Sequence, residues 1–160
     1  MNRIAFLCIA LLANSAIGGY ENVGGWRWEN IGPGGGGAMY APSISPHSGG
    51  RTVFIVGDMA NHYLSRNGGR TFSVMDFGLA SYTRNAVFFH PTDSLVVFTY
   101  KARRIYRSLD GGRSFTAVAQ AGAFDCSAIV ADPEEGNVLF AAMRRQASTP
   151  ILQSYNWGNS

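Results

Sequence analysis

Three carboxylates and a group of cations are the residues of this 160-residue sequence best suited to chemistry. Asp58, Asp76 and Asp125 each lie in a polar stretch between apolar runs, and Lys101, Arg103, Arg104, Arg107, Arg144 and Arg145 fall in or beside similar stretches. Carboxylates and arginines converging on a concave pocket with aromatic platforms would suit a carbohydrate. Tyr82 and Tyr100 could supply flat platforms for a sugar face, with Met59, His62 and Arg103 as further candidate contacts. Other chemistries find no support. His47, His62 and His90 lack metal-ligand spacing and have no accompanying Cys or carboxylate cluster, so neither a metal nor a cofactor is expected. There is no Gly-x-Ser-x-Gly elbow, and the glycine run Gly34 to Gly37 is not followed by the Lys-Ser/Thr of a phosphate-binding loop.

These loops can face one another only if the intervening elements repeat, and they do. Ser65 to Phe72 reads SRNGGRTF and Ser108 to Phe115 reads SLDGGRSF, 43 residues later. Each copy follows the same three landmarks in order: an apolar run ending at a proline, a second apolar run rich in β-branched residues, and a third short run. The landmarks recur once more as Ser127 to Pro133, Asn137 to Ala141 and Ile151 to Gln153, leading into Ser154-Tyr155-Asn156-Trp157-Gly158-Asn159-Ser160. Four short strands in each period of 40 to 45 residues is the size of one propeller blade, whereas a β-sandwich has no reason to repeat its sequence. The expected fold is all-β: a partial β-propeller of about three four-stranded blades, its ring not closed.

The octapeptide has a physical rationale of its own. A tight hairpin needs residues at positive φ, which glycine supplies, and an Asp or Asn side chain can bond the backbone N–H two residues on. The aromatic that follows can fold onto the layer between neighbouring sheets. This pattern resembles the Asp box of BNR repeats. The second copy fits every fixed position (Ser108, Asp110, Gly112, Ser114, Phe115), the first has Asn67 for Asp among Ser65, Gly69, Thr71 and Phe72, and the third has Asn156 among Ser154, Gly158 and Ser160. Turn chemistry accounts for all of these positions, so the box reads as structural.

Blade geometry then sorts the loops. Turns joining strands one to two and three to four lie on one face, and those joining two to three, and one blade to the next, lie on the other. The octapeptides fall on the first face and the three carboxylates on the second. On that second face the run Trp28-Glu29-Asn30-Ile31, then Gly34 to Gly37, then Val56-Gly57-Asp58-Met59 leading to Tyr63, resembles the opening of the first propeller in glycoside hydrolase family 74, the xyloglucanases. The resemblance implies inverting hydrolysis of a polysaccharide with Asp58 as general base and a partner acid in a second propeller. Here Gly57 stands for the family's Thr and Ala60-Asn61 for two glycines. Asp58 also fits a turn-capping role, and the arginines fit solvated edge positions. Two alternatives stay open: a non-catalytic propeller similar to sortilin ectodomains or assembly factors, holding a peptide or glycan, and a sialidase. The sialidase Phe/Tyr-Arg-Ile-Pro opening is replaced by Ile31-Gly32-Pro33.

Composition bounds the setting. Met1-Asn2-Arg3 followed by the apolar run Ile4 to Ala13 has the layout of a secretory signal peptide and is too short for the ~20 residues of a membrane span. A secreted product, extracellular or periplasmic and without a membrane span once the signal is removed, is therefore expected. With 20 glycines, 12% aromatics and a net charge of +3 that includes Arg3, there is no electrostatic case for nucleic acid. Cys8 leaves with the signal, and Cys126 then has no disulfide partner in the chain. The expected organisation is a signal peptide at 1–18, an N-terminal strand and glycine-rich segment at 19–40, blades at 41–83 and 84–126, and an incomplete third blade at 127–160. Since propellers need about 4 to 8 blades to close, the remaining blades are expected outside this sequence.

Overall fold

The computed structural model describes residues 38–57, 62–75, 86–101, 103–120, 125–144 and 150–159, all in the compact unit Ile31–Ser160. Among them are eleven strands and no helix long and apolar enough to cross a membrane. The first sheet has the order β1 (Met39–Ile44), β2 (Val53–Gly57), β3 (His62–Ser65), β4 (Ser73–Met75). The second runs β5 (Val87–Phe89), β6 (Val97–Lys101), β7 (Arg104–Ser108), β8 (Thr116–Gln120), and the third β9 (Asp125–Ala131), β10 (Leu139–Arg144), β11 (Ile151–Ser154). All neighbours are antiparallel and consecutive in sequence. The chain is thus a partial β-propeller, as the repeat requires. The fourth strands begin one residue after the octapeptide aromatics Phe72 and Phe115.

Burial explains the strand sequences. The second strand of each sheet is paired along both edges, and that of the middle sheet also faces a packed layer on either side, so VFIVG and VFTYK are nearly continuous in buried residues, while the outer Ser73–Met75 and Thr116–Gln120 are mostly exposed. Phe54, Leu64, Val87, Phe89 and Val97 fill the layer between the first two sheets, with Met75 and Phe115 packed against them. Phe98, Tyr100, Ile105, Ile129, Leu139 and Met143 are the larger aliphatic and aromatic residues of the next layer, with Val118 and Trp157 against them. Full burial of a side chain such as Phe54 or Phe98 contributes about 1.5–3 kcal/mol.

The octapeptide turns share one construction, centred on serine. Ser108 Oγ donates to Asp110 Oδ1 (2.7 Å) and accepts from the N–H groups of Asp110 (3.2 Å) and Gly112 (2.8 Å). Ser65 does the same with Asn67 and Gly69, and Ser154 with Asn156 and Gly158. The N–H two residues beyond the Asp or Asn therefore bonds the serine, not the carboxylate or amide as the sequence reading expects. The Asp110 carboxylate reaches further, to the N–H of Arg113 (2.8 Å) and to both N–H and hydroxyl of Ser114 (3.0 and 2.6 Å). Asn67 Oδ1 accepts from Thr71 N–H in the same way at 2.9 Å. Each turn then docks on its own blade's first hairpin, through Gly68 N–H to Arg51 O, Gly111 N–H to Leu95 O and Trp157 N–H to Asn137 O.

Candidate functional site

The strand registers define the two faces. At one end of the sheets lie Gly57 opposite Met39, Lys101 opposite Arg104, Arg104 opposite Gln120, and Arg144 opposite Asp125. The second-to-third-strand connections 58–61 and 145–149, and the inter-blade connections 76–85 and 121–124, leave from this end. Asp58, Met59, Asp76 and Tyr82 fall in these segments and lie outside the described residues, as do Arg145 and Ser160. The described rim carries the polar residues Lys101, Arg103, Arg104, Gln120, Asp125 and Arg144, of which Lys101 is half-buried and the others exposed. Asp125 and Arg144 are partners in the β9–β10 register, and both are exposed.

The other sequence candidates take different positions. His62 opens β3 and is 3% exposed, and burial lowers its pKa, so its imidazole is neutral at neutral pH. Tyr100 is 6% exposed, with its hydroxyl donating to Ser127 O at 2.6 Å in the third sheet, and burial raises its pKa. It acts as a strut between blades. Arg103 occupies the exposed turn between β6 and β7. The structure thus brings Arg103 to the rim beside Arg104 and Lys101, and directs His62 and Tyr100 into the packed layers.

The octapeptide face has different chemistry. A polar cleft of about 330 Å³ there is lined by His47, Arg51, Arg66, Asp110 and Arg113 among others. Partial desolvation raises the Asp110 pKa, but the bonds from Ser114 and Ser108 and from the backbone of Ser114 and Arg113 outweigh it, holding the carboxyl well below the usual range. An acid so strong, with its oxygens already engaged, is a poor proton donor or acceptor near neutral pH. Among the described residues no cluster of His, Cys, Asp or Glu could hold a metal ion.

Sequence reasoning missed one set of residues, the side chains preceding proline in each first hairpin. Ser45, His90 and Asp132 all cap their turns: Ser45 Oγ accepts from His47 N–H, His90 Nδ1 from Thr92 and Asp93 N–H, and Asp132 Oδ1 from Glu134 and Glu135 N–H. Since Nδ1 of His90 accepts, Nε2 carries the proton and donates to Gly136 O at 2.6 Å in the next blade. The His90 ring also stacks on Trp157 with centroids 4.5 Å apart and planes 7° from parallel. The signal was present: three acceptors at the same position before Pro46, Pro91 and Pro133.

Comparison with solved structures agrees with this architecture. An ancestral GH74 enzyme superposes over 83% of this chain with a TM-score of 0.65 at 22% identity, the match covering 19% of that enzyme. The GH74 enzyme of Niastella koreensis does so over 76% (TM-score 0.63, 16% identity, 22% of its own chain). YCF48 from Cyanidioschyzon merolae matches over 78% (TM-score 0.59, 19% identity, 36% of its own chain). The chain therefore spans about a fifth to a third of the length of these structures, and at such identities the likeness is one of fold. No protein-family model and no curated protein sequence matches it.

Proposed function

We propose that this chain is part of a secreted Asp-box propeller whose rim binds a polysaccharide, with chemistry like that of the family 74 glycoside hydrolases and Asp58 as general base. The observation that carries this reading is the position of the second-to-third-strand hairpins. β2 ends at Gly57 and β3 begins at His62, and these strand ends lie on the same face as Lys101, Arg103, Arg104, Gln120, Asp125 and Arg144; in this reading Asp58 acts from the segment between them. Polar and charged groups converging on one face are what a polysaccharide needs for orientation. On the other face the fixed octapeptide positions are committed to turn construction.

Inverting hydrolysis also needs an acid across the bond from Asp58. In this reading a second propeller supplies it. The chain alone is expected to bind a xyloglucan oligosaccharide in a calorimetric titration and to release no reducing sugar from it. In a protein carrying both carboxylates, Asp58→Asn should abolish hydrolysis and preserve binding. Retained hydrolysis in that variant would refute the assignment.

A second reading, a non-catalytic propeller holding an acidic peptide or glycan, is favoured by the charge of the described rim. Four cations, Lys101, Arg103, Arg104 and Arg144, face one carboxylate, Asp125. Binding that weakens steeply between 50 and 300 mM salt would support this reading, because exposed charges are screened beyond about 10 Å at 0.1 M. Sugar binding through stacking and neutral hydrogen bonds would change little.

A further inference from the structure

The turns of the octapeptide face carry charge that their construction does not require. Gly68 N–H bonds Arg51 O, and Leu95 O and Asn137 O accept the same bond in the other two sheets, so the carbonyl and not the guanidinium builds the contact. The pairing registers put Val53, Val97 and Leu139 opposite the octapeptide serines Ser65, Ser108 and Ser154, so positions in the three sheets can be matched one to one. Arg66 then matches Leu109, and Arg113 matches Asn159 of the third octapeptide. Where the first and second sheets meet, these positions hold Arg51, Arg66 and Arg113; where the second and third meet, they hold Leu95, Leu109 and Asn159. Turn chemistry leaves the three arginines without an assignment.

All three line the polar cleft of about 330 Å³ between the first two sheets. Arg66 and Arg113 also border a second cleft of about 330 Å³, walled by Leu64, Ser73 and Met75. Their donors are only partly used. Arg51 Nε donates to Ser48 O at 3.1 Å and Arg113 Nη1 to Asp110 O at 2.9 Å, which tethers both side chains, while Arg66 makes no hydrogen bond or ion pair among the described residues. The carboxylate in the cleft, Asp110, is engaged by its own turn: Oδ1 accepts from Ser108, Arg113 and Ser114, and Oδ2 from the Ser114 hydroxyl. It offsets one positive charge of three. The hydroxyls of Thr52 and Ser94 in the first cleft and of Ser73 in the second have no hydrogen-bond partner among the described residues.

We propose that this double cleft binds an acidic saccharide, with its sulfate or carboxylate groups held by Arg51, Arg66 and Arg113 and its ring hydroxyls by Thr52, Ser94 and Ser73. Arginine suits such oxyanions because two N–H groups of its fork meet two oxygens at once. Each cleft has the volume of a small organic ligand rather than of a lone ion, and free hydroxyls beside apolar Phe89 and Leu95 match the two-sided surface of a sugar ring. The site lies at the opposite end of the sheets from the rim, and the two can be tested separately.

Calorimetric titration of the whole chain with digalacturonate and with a sulfated heparin disaccharide is the test. At least one should bind saturably and about tenfold or more tighter than inorganic sulfate, and the tighter of the two identifies the anionic group. Arg66→Gln and Arg113→Gln should each weaken that binding about tenfold. Arg66 bonds nothing in its turn, so its loss does not act through the fold. Arg70→Gln should leave binding unchanged, since Arg70 holds the position of Arg113 in the first octapeptide yet lines neither cleft. Xyloglucan binding should be the same in Arg66→Gln as in the parent chain, so failure here and failure of the rim reading remain distinguishable. Equal loss in Arg70→Gln would mean diffuse charge attraction and would overturn the proposal. So would inorganic sulfate binding as tightly as either sugar, a tetraglutamate peptide binding more tightly than both, or no binding at millimolar sugar. Amide shifts at Arg104 and Arg144 in place of Arg51 and Ser94 would assign the anion to the rim and overturn it too.

Discussion

Replacing Gly112 by alanine should be the most damaging single-methyl change in the second octapeptide, and the reason can be worked from its surroundings. Gly112 has φ +84°, and a Cβ added there would lie 2.8 Å from Cζ and 2.9 Å from Cε2 of Phe54. The left-handed conformation costs an L-residue about 1–2 kcal/mol. Phe54 is 0% exposed, so its ring cannot swing into solvent, and forcing a methyl against a packed ring adds about 1–3 kcal/mol. The sum is about 2–5 kcal/mol. The neighbouring Gly111 separates the two terms, since its φ is +72° but its nearest neighbour would be Ser94 O at 3.9 Å. Gly111→Ala should therefore cost only the conformational part, about 1–2 kcal/mol. Urea unfolding with a common m value gives both numbers. Phe54→Leu in the Gly112→Ala background should recover part of the loss, a coupling that a double-mutant cycle isolates. Equal destabilisation by Gly111→Ala and Gly112→Ala, with no coupling to Phe54, would refute the claim that the turn is packed against the preceding blade.

Other consequences can be measured on the same protein. The Asp110 pKa is depressed in the folded state, so its stabilisation is present at neutral pH and declines as pH falls below about 4, where the unfolded chain takes up the proton first. Asp110→Asn should flatten the urea midpoint against pH over that range, and an unchanged profile would contradict the bonding described. His90→Ala strips the caps from Thr92 and Asp93 N–H, frees Gly136 O and removes the Trp157 stack, an expected loss of about 2–4 kcal/mol in thermal or urea unfolding. Trp157→Gly should be destabilising in urea unfolding, because relieving φ 64° recovers about 1–2 kcal/mol but both the stack on His90 and the packing against the second layer are lost. Burial pushes the Cys126 thiol up to about 11, so labelling by a thiol reagent at pH 8 should be slow in the native state and fast in urea.

The sequence exposed the architecture because the turn chemistry is local. An octapeptide that needs positive φ at Gly68, Gly69, Gly111 and Gly112 records its geometry in residue type, and three copies in one period count the blades. Even the exception is informative: Trp157 adopts φ 64° at the position held by Gly68 and Gly111, and its stack on His90 compensates for a conformation that bulky residues avoid. What residue type does not carry is the partner across a layer. His90 has no assigned role in one dimension, and only the packing of two blades shows its Nε2 on Gly136 O. Tyr100 reads as a sugar platform, yet its hydroxyl closes on Ser127 O because β6 is covered by the next sheet. The serine hub was equally hidden, since a serine and an aspartate two residues apart offer the same acceptors and only geometry divides the N–H groups between them.

The central claim is that the repeated octapeptides build the blades while recognition of the polysaccharide substrate belongs to the opposite face. Amide chemical-shift mapping on titration with a xyloglucan oligosaccharide tests it most directly. The account predicts shifts at Lys101, Arg104, Gln120, Asp125 and Arg144, with Ser65 to Thr71 and Ser108 to Ser114 unmoved. Shifts confined to the octapeptides, or none on either face at saturating sugar, would contradict it.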